Sequence, residues 1–202
     1  MSNIRCVLFD LDGVLIDACE WHFHALNIAL EKVVGSSISR EDHEKKFNGL
    51  PTKVKLKMLG ISSEDSAVIN RLKQEHTVGL IEKNVTIDHV KIELLSHLKK
   101  NNILTACVTN SIRNNTILML EKSGMIEYLD VVVTNEDVQR NKPEPDCYNL
   151  AIKKLSADPS KTLCVEDSTK GILSARASLA KHIWEVENPD KVNLENYKRL
   201  WL

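Results

Sequence analysis

Two carboxylates set two residues apart, Asp10 and Asp12, leave the apolar run Cys6-Val-Leu-Phe9 and are followed at once by Gly13. A short apolar run bounded by turn residues reads as a buried strand, whose exit would present both acids beside a flexible glycine. The ordinary reading of Asp-Leu-Asp-Gly is an Asx-rich turn, because Asp and Gly both favour turns. Three further polar groups decide between the two, each in order after an apolar segment. Thr109-Asn110-Ser111 follows Ile103-Leu-Thr-Ala-Cys-Val108, Lys142 sits in Asn-Lys-Pro-Glu-Pro-Asp146, and Glu166-Asp167 follows Thr162-Leu-Cys-Val165. A phosphate monoester repels nucleophiles through its own charge, so its chemistry needs cations and hydrogen-bond donors as well as a nucleophile. The ordered set supplies all of these.

Taken singly, each member has a plainer reading. Glu166-Asp167 suits an acidic helix start that favours the helix dipole. Asn110 and Ser111 suit an N-cap, and a lone lysine such as Lys142 is usually a solvated surface cation. Pro143 and Pro145 stiffen the loop that carries Lys142. Crowding Asp10, Glu166 and Asp167 together would require a counterion, and all-oxygen ligation favours a hard divalent ion such as Mg²⁺.

The elements that must position these groups alternate as strand and helix, which places the chain in the α/β class with a parallel sheet. The expected strands are Cys6–Phe9, Leu104–Val108, Val131–Thr134, Leu163–Val165 and Ile183–Val186. Each proposed functional group falls at the carboxyl end of one of them or just beyond, where open α/β sheets place their ligand crevice. From Asp17 to about Val85 the pattern is helical: Trp21, Ala25, Ile28, Ala29 and Val33 recur at helical spacing, and Leu72, Val78, Leu80 and Ile81 suggest a later helix. The expected organisation is a core of residues 1–16 and 86–202 with a helical cap, 17–85, inserted after the first strand. The alternative is one continuous helical layer packed on the sheet.

From Ile4 to about Val186 the chain resembles the haloacid dehalogenase superfamily of phosphohydrolases, nearest the subgroup of β-phosphoglucomutase and small sugar-phosphate phosphatases. The resemblance implies a Rossmann-like parallel sheet flanked by helices, with an inserted helical cap. By resemblance Asp10 is the nucleophile, forming an aspartyl-phosphate, and Asp12 the general acid and base. Asn110 and Ser111, with Thr109 and backbone amides of a helix starting near Ile112, would hold the phosphoryl oxygens, and Lys142 would neutralise charge on Asp10 and the phosphoryl group. Mg²⁺ would be held by Asp10, the Asp12 backbone carbonyl and Asp167, with Glu166 direct or through water. Asp12 also separates phosphate-ester transfer from C–Cl and C–P cleavage, since relatives that perform those reactions carry another residue there.

In the cap, His22 in Asp17-Ala-Cys-Glu-Trp-His-Phe23 matches a residue that positions Asp12, although a histidine beside Trp21 and Phe23 also reads as a satisfied core or hinge residue. Gly49 and Lys53, in Asn48-Gly49-Leu50-Pro51-Thr52-Lys53, match a substrate-specificity loop and could equally be turn punctuation. Lys73 matches a phosphate-contacting lysine weakly, and as one cation on a helix it is expected to be solvated. Two departures touch loop geometry: Asp88-His89-Val90 stands where the family often has Pro-Gly-Val, and Ser178-Leu179-Ala180 replaces an Ala-Gly turn.

Composition is consistent with this. The chain has 27 basic and 28 acidic residues, so no basic field points to nucleic acid or an anionic membrane. Without an apolar run long enough to span a bilayer or a signal-like start at Met-Ser-Asn-Ile-Arg, a cytoplasmic location is the default expectation. The five cysteines lack a Cys-x-x-Cys pair and are read as reduced and structural. The expected activity is Mg²⁺-dependent hydrolysis of a small phosphorylated metabolite, foremost a sugar phosphate. A phosphosugar mutase and a non-catalytic phosphometabolite-binding protein are the alternatives. Oligomeric state is not legible. Leu194, Tyr197, Leu200 and Trp201 suit packing on the chain's own core, as in a monomer, or on a second chain.

Overall fold

The computed structural model describes residues 4–47 and 50–202. Five strands, β1 (Cys6–Phe9), β2 (Leu104–Val108), β3 (Val131–Val133), β4 (Thr162–Glu166) and β5 (His182–Glu185), form one sheet in the order β3-β2-β1-β4-β5. Every neighbouring pair is parallel. The strands lie within one residue of their expected ends, because each is a short apolar run bounded by polar or turn residues. The chain steps from β1 to β2 and β3 on one side, then crosses to β4 on the other. The crevice between the carboxyl ends of β1 and β4 is therefore the topological switch point, the usual ligand position of such sheets.

After β1 come α1 (Cys19–Val34), a single turn α2 (Arg40–Asp42) that runs into a π-helical turn (His43–Phe47), α3 (Thr52–Met58) and α4 (Ser63–Asn84). The later helices α5 (His89–Lys100), α6 (Arg113–Lys122), α7 (Asp146–Leu155), α8 (Thr169–Ala177) and α9 (Leu194–Trp201) sandwich the sheet. Alternation along β1 shows the two layers. Val7 and Phe9 join Leu94, Leu98, Met119 and Tyr197 on one face, while Cys6 and Leu8 join Tyr148, Ala151, Ile152 and Ala175 on the other. Both α9 residues Leu194 and Trp201 pack with Tyr197 against the first face, whereas Leu200 is exposed.

A third apolar cluster, Leu26, Ala29, Leu30, Ile38, Phe47, Leu56, Ile69 and Leu72, lies wholly within the helical stretch before α5. The buried stripe of α1 is Ala25, Leu26, Ala29 and Leu30. The expected stripe is rotated from this: Ile28 faces solvent, and Trp21 and Val33 are half-buried. The two unusual turns satisfy themselves. The Asp88 carboxylate accepts from the Lys91 amide and caps α5, and the Ser178 hydroxyl accepts from the Ala180 amide while donating to the Ala175 carbonyl. All five cysteines are free, four of them buried and Cys19 half-buried. Among the described residues no helix is long and apolar enough to cross a membrane.

Candidate active site

Asp10 leaves β1 with its amide bonded to the Val165 carbonyl of β4 at 3.0 Å, which continues the sheet register into the site. Its carboxylate is buried. Lys142 reaches it from the loop before α7, and its ammonium uses all three donors on three strand ends: Asp10 Oδ1 at 2.8 Å, the Val108 carbonyl at 2.8 Å and Glu166 Oε1 at 2.6 Å. Asn110 fixes the loop that delivers this lysine. Its side-chain amide donates to the Lys142 carbonyl (3.1 Å) and accepts from the Lys142 amide (3.0 Å).

Glu166 is fully buried and saturated by protein donors. Oε1 accepts from Lys142 and from the Tyr148 hydroxyl at 2.6 Å; Oε2 accepts from the Asp167 amide at 3.2 Å and the Ser168 hydroxyl at 3.4 Å. The Tyr148 ring lies beneath the Lys142 ammonium, 4.8 Å from its centroid. Such close approach depends on Gly171, where a Cβ would land inside the Glu166 carboxyl group. Gly171→Ala should therefore destabilise the protein by about 1–3 kcal/mol, against the roughly 1 kcal/mol that alanine ordinarily gains over glycine in a helix. Urea unfolding reads the sign directly.

Asp12 is held from two sides. Ser111 Oγ donates to Oδ2 at 2.6 Å, and His22 Nε2 lies 3.0 Å from Oδ1. Lys73 Nζ is 3.2 Å from His22 Nδ1. An ammonium only donates, so Nδ1 accepts and the proton of a neutral His22 sits on Nε2, pointing at Asp12. Burial pushes Asp12 up, but His22, the Ser111 hydroxyl and the Lys73 charge outweigh it and hold the carboxyl at about 2. His22 therefore lies against Asp12, where the expected positioning residue would stand, and both of its ring nitrogens have partners, as the satisfied-histidine reading also requires. Lys73 departs from expectation. It is buried and lines the cavity, because α4 turns that side toward the site rather than toward solvent.

The carboxylates of Asp10, Glu166 and Asp167 each offer an oxygen within 4.8 Å of the others. Burial and then Glu166 push Asp10 up against the pull of Lys142, and the same two causes push Asp167 up to about 7. For Lys142, burial alone would lower the ammonium, but Asp10 and Glu166 outweigh it and raise it. The Asp167 carboxylate has one buried oxygen, Oδ1, with no hydrogen-bond partner among the described residues. A crowded acid cluster with an orphaned oxygen fits a hard divalent cation. Gly13, with φ of +89°, lies so close that a Cβ there would collide with the Asp167 carboxylate.

Asp10, Asp12, His22, Thr109, Asn110, Ser111, Lys142 and Asp167 line one cavity of about 190 Å³. Thr109 is buried and its hydroxyl accepts from the Ser111 amide at 3.0 Å. The expected help from the start of α6 is not uniform: the Arg113 amide donates to Glu136 Oε2 at 2.6 Å, and α6 is N-capped by Ile112 rather than by Asn110 or Ser111. Lys53 stands exposed at the cavity wall, while Lys55, two residues on and not anticipated, is buried in it. Gly49 lies outside the described residues. Tyr148 and His43 were also missed, since a tyrosine in a helix stripe and a lone histidine read as ordinary core residues.

Residues 7–184 match the family profile described as haloacid dehalogenase-like hydrolase. Pyrophosphatase PpaX of Bacillus pumilus is 29% identical over 191 residues, covering 89% of this chain and 82% of that protein. A phosphorylated carbohydrates phosphatase of Thermotoga maritima is 27% identical over 188 residues, covering 91% and 85%. In fold, a crystal structure of β-phosphoglucomutase from Clostridium difficile superposes with a TM-score of 0.81 at 24% identity, covering 97% of this chain and 96% of that one. By a profile that spans most of its length, the chain belongs to the haloacid dehalogenase-like hydrolase family.

Proposed function

We propose that the protein is a Mg²⁺-dependent phosphatase that hydrolyses a small phosphorylated metabolite, with sugar phosphates the first class to test, through an aspartyl-phosphate on Asp10. The observation that carries this reading is the division of labour at the exit of β1. Asp10 is bound to a buried ammonium, and Asp12 is held separately by His22 and Ser111 in the same cavity. Relatives named as a pyrophosphatase and a phosphorylated carbohydrates phosphatase support a small phosphorylated substrate.

In this reading an Asp10 oxygen attacks phosphorus and the ester oxygen departs with a proton from Asp12. Asp12 then takes a proton from water, which attacks the aspartyl-phosphate, frees phosphate and restores Asp10. An Asp12 carboxyl at about 2 is ionised at neutral pH, the protonation state from which the base half starts. The acid half requires the negative phosphoryl group to raise it on arrival. Ser111 fixes the Asp12 rotamer, and Asn110 holds the Lys142 loop in register with Asp10. Thr109 braces the turn through the Ser111 amide. Residues 17–85 are assigned as the cap and the remainder as the core.

Asp10, Asp167 and the Asp12 carbonyl would hold Mg²⁺, which supplies positive charge against the phosphoryl oxygens. Glu166, with both oxygens already accepting from the protein, serves chiefly as the anchor of Lys142. Phosphate release from a panel of sugar phosphates and other phosphoesters tests the reading. Release with Mg²⁺ that EDTA abolishes supports it, and phosphate binding without release by the metal-loaded protein would replace it with a binding function.

Mg²⁺ should also stabilise the fold in a pH-dependent way. Asp167 titrates near 7 when folded, against about 3.9 for an unperturbed Asp. The metal-free fold therefore loses stability as pH rises from about 4 through 7, while the acid ionises among its neighbours. Protons and metal compete for these oxygens. The rise in Tm with Mg²⁺ is thus expected to be larger at pH 8 than at pH 5, and an equal rise at both would remove these carboxylates as ligands.

A further inference from the structure

Two uncharged side chains that the core elements bring to the cavity are left incomplete. Asn115 on α6 is only 1% exposed and lines the cavity with Asp10 and Asp12. Its Nδ2 donates to Gln74 Oε1 of α4 at 2.7 Å, while its Oδ1 is buried without a hydrogen-bond partner among the described residues. Asn135, two residues past β3, lines the same cavity, and its Oδ1 is buried and unpartnered in the same sense. Both asparagines are tied to the Ser111 turn. The Asn135 amide donates to the Ser111 carbonyl at 3.3 Å, and Asn115 follows Ser111 by four residues, on the helix that the turn begins. Ser111 in turn holds Asp12, so in the phosphatase reading these amides belong to the leaving-group side.

A buried amide oxygen without a donor forfeits a hydrogen bond that water would have supplied. The ionised oxygens of a phosphate or carboxylate only accept, so an anion completes neither asparagine. Mg²⁺ belongs with the carboxylates of Asp10 and Asp167. An ammonium donates, but Lys73 lines the same cavity and opposes a second cation there. A hydroxyl donates without charge. It also accepts, and so still serves when the Asn115 and Gln74 amides are both turned over, which makes Gln74 the donor and leaves the Asn115 NH2 as the orphan.

We propose that Asn115 and Asn135 form a hydroxyl-binding subsite for the leaving group of the substrate, with Gln74 holding Asn115 in place. This rests on the phosphatase reading for which end of the substrate reacts. It narrows the substrate to phosphorylated polyols over inorganic diphosphate, whose leaving group is itself an anion, and makes Asn115 a specificity-determining residue.

Calorimetric titration of the Mg²⁺-loaded protein with phosphonates tests this without turnover. Two shape-matched pairs serve: 3,4-dihydroxybutylphosphonate against butylphosphonate, and the methylene phosphonate of glucose 6-phosphate against 2-cyclohexylethylphosphonate. The hydroxylated member of at least one pair is expected to bind about 10-fold or more tightly than its apolar partner, the usual worth of two neutral hydrogen bonds. Asn115→Leu and Asn135→Leu should each remove most of that margin and leave the apolar member bound as tightly as before, which a merely structural role would not do. Should Asn115→Leu fail to fold, Asn135→Leu, at a half-buried position, decides alone. The proposal is overturned if neither pair shows a margin, if the margin survives in the variants, if both members of a pair weaken alike, or if 4-aminobutylphosphonate outranks the hydroxylated probes. Failure of the phosphatase reading would show elsewhere, as no metal-dependent phosphate release from any substrate.

Discussion

Asp10→Asn is expected to lower kcat by about 10⁴-fold or more, as removal of a nucleophile commonly does, while making the metal-free protein harder to unfold. Asparagine keeps the shape of the side chain and an oxygen to accept from Lys142, whose other two bonds, to Val108 and Glu166, are untouched. What it lacks is a charged nucleophile. The stability gain follows from crowding: burial and Glu166 raise the Asp10 carboxyl despite Lys142, so its ionised form is less favourable in the fold than in water. A neutral isostere removes that repulsion, the usual trade between function and stability at a charged site. Initial rates at saturating substrate and urea midpoints without metal measure the two effects. Residual turnover within 10-fold of the parent would place the nucleophile elsewhere.

The core was legible because its logic is local. Each strand is an apolar run, and in a parallel α/β sheet the residue just past such a run must stand at the crevice. Asp10, Thr109 and Glu166 could be placed by that rule alone, and β1, β2 and β4, which carry them, are adjacent in the sheet. The partners of these groups were less legible. Sequence assigns Glu166 to an acidic pair, and nothing in it announces that Tyr148, on α7, closes one of its oxygens. A tyrosine in an amphipathic stripe has the same pattern whether its hydroxyl is satisfied by water or by a buried carboxylate.

The helical segment yielded least. A lysine turned into a polar cavity and a lysine turned into water occupy the same kind of position in a helical pattern, since neither belongs to the apolar stripe. On α4 the expected Leu72 and Ile81 are buried, but Val78 and Leu80 are only half-buried, Ile69 joins the stripe unannounced, and Lys73 beside Leu72 reads as solvent-facing. Likewise Lys53 and Lys55 differ by two residues on α3, about 200° around the helix, yet only the second is buried. Such assignments need the tertiary arrangement of α3 and α4 over the sheet.

Asp12→Asn should reverse the stability sign of its neighbour while lowering kcat by about 10²–10⁴-fold, the usual worth of a general acid and base. Asp12 is held down at about 2, so its ionised form stabilises the fold above the unfolded value near 4, and that contribution fades as pH falls through 2. Removing the charge forfeits it, and the urea midpoint at pH 7 should drop where that of Asp10→Asn rises. The kinetics should separate the two proton transfers. A sugar phosphate has a poor leaving group and needs the acid, so both formation and hydrolysis of the aspartyl-phosphate slow. With 4-nitrophenyl phosphate the leaving group needs little protonation, and formation is spared while hydrolysis still lacks its base. The variant should then release about one nitrophenolate per active site in a burst, followed by slow turnover. Unchanged turnover, or slow release without a burst on this substrate, would show that Asp12 does not move the proton and that His22 and Ser111 orient it for another purpose.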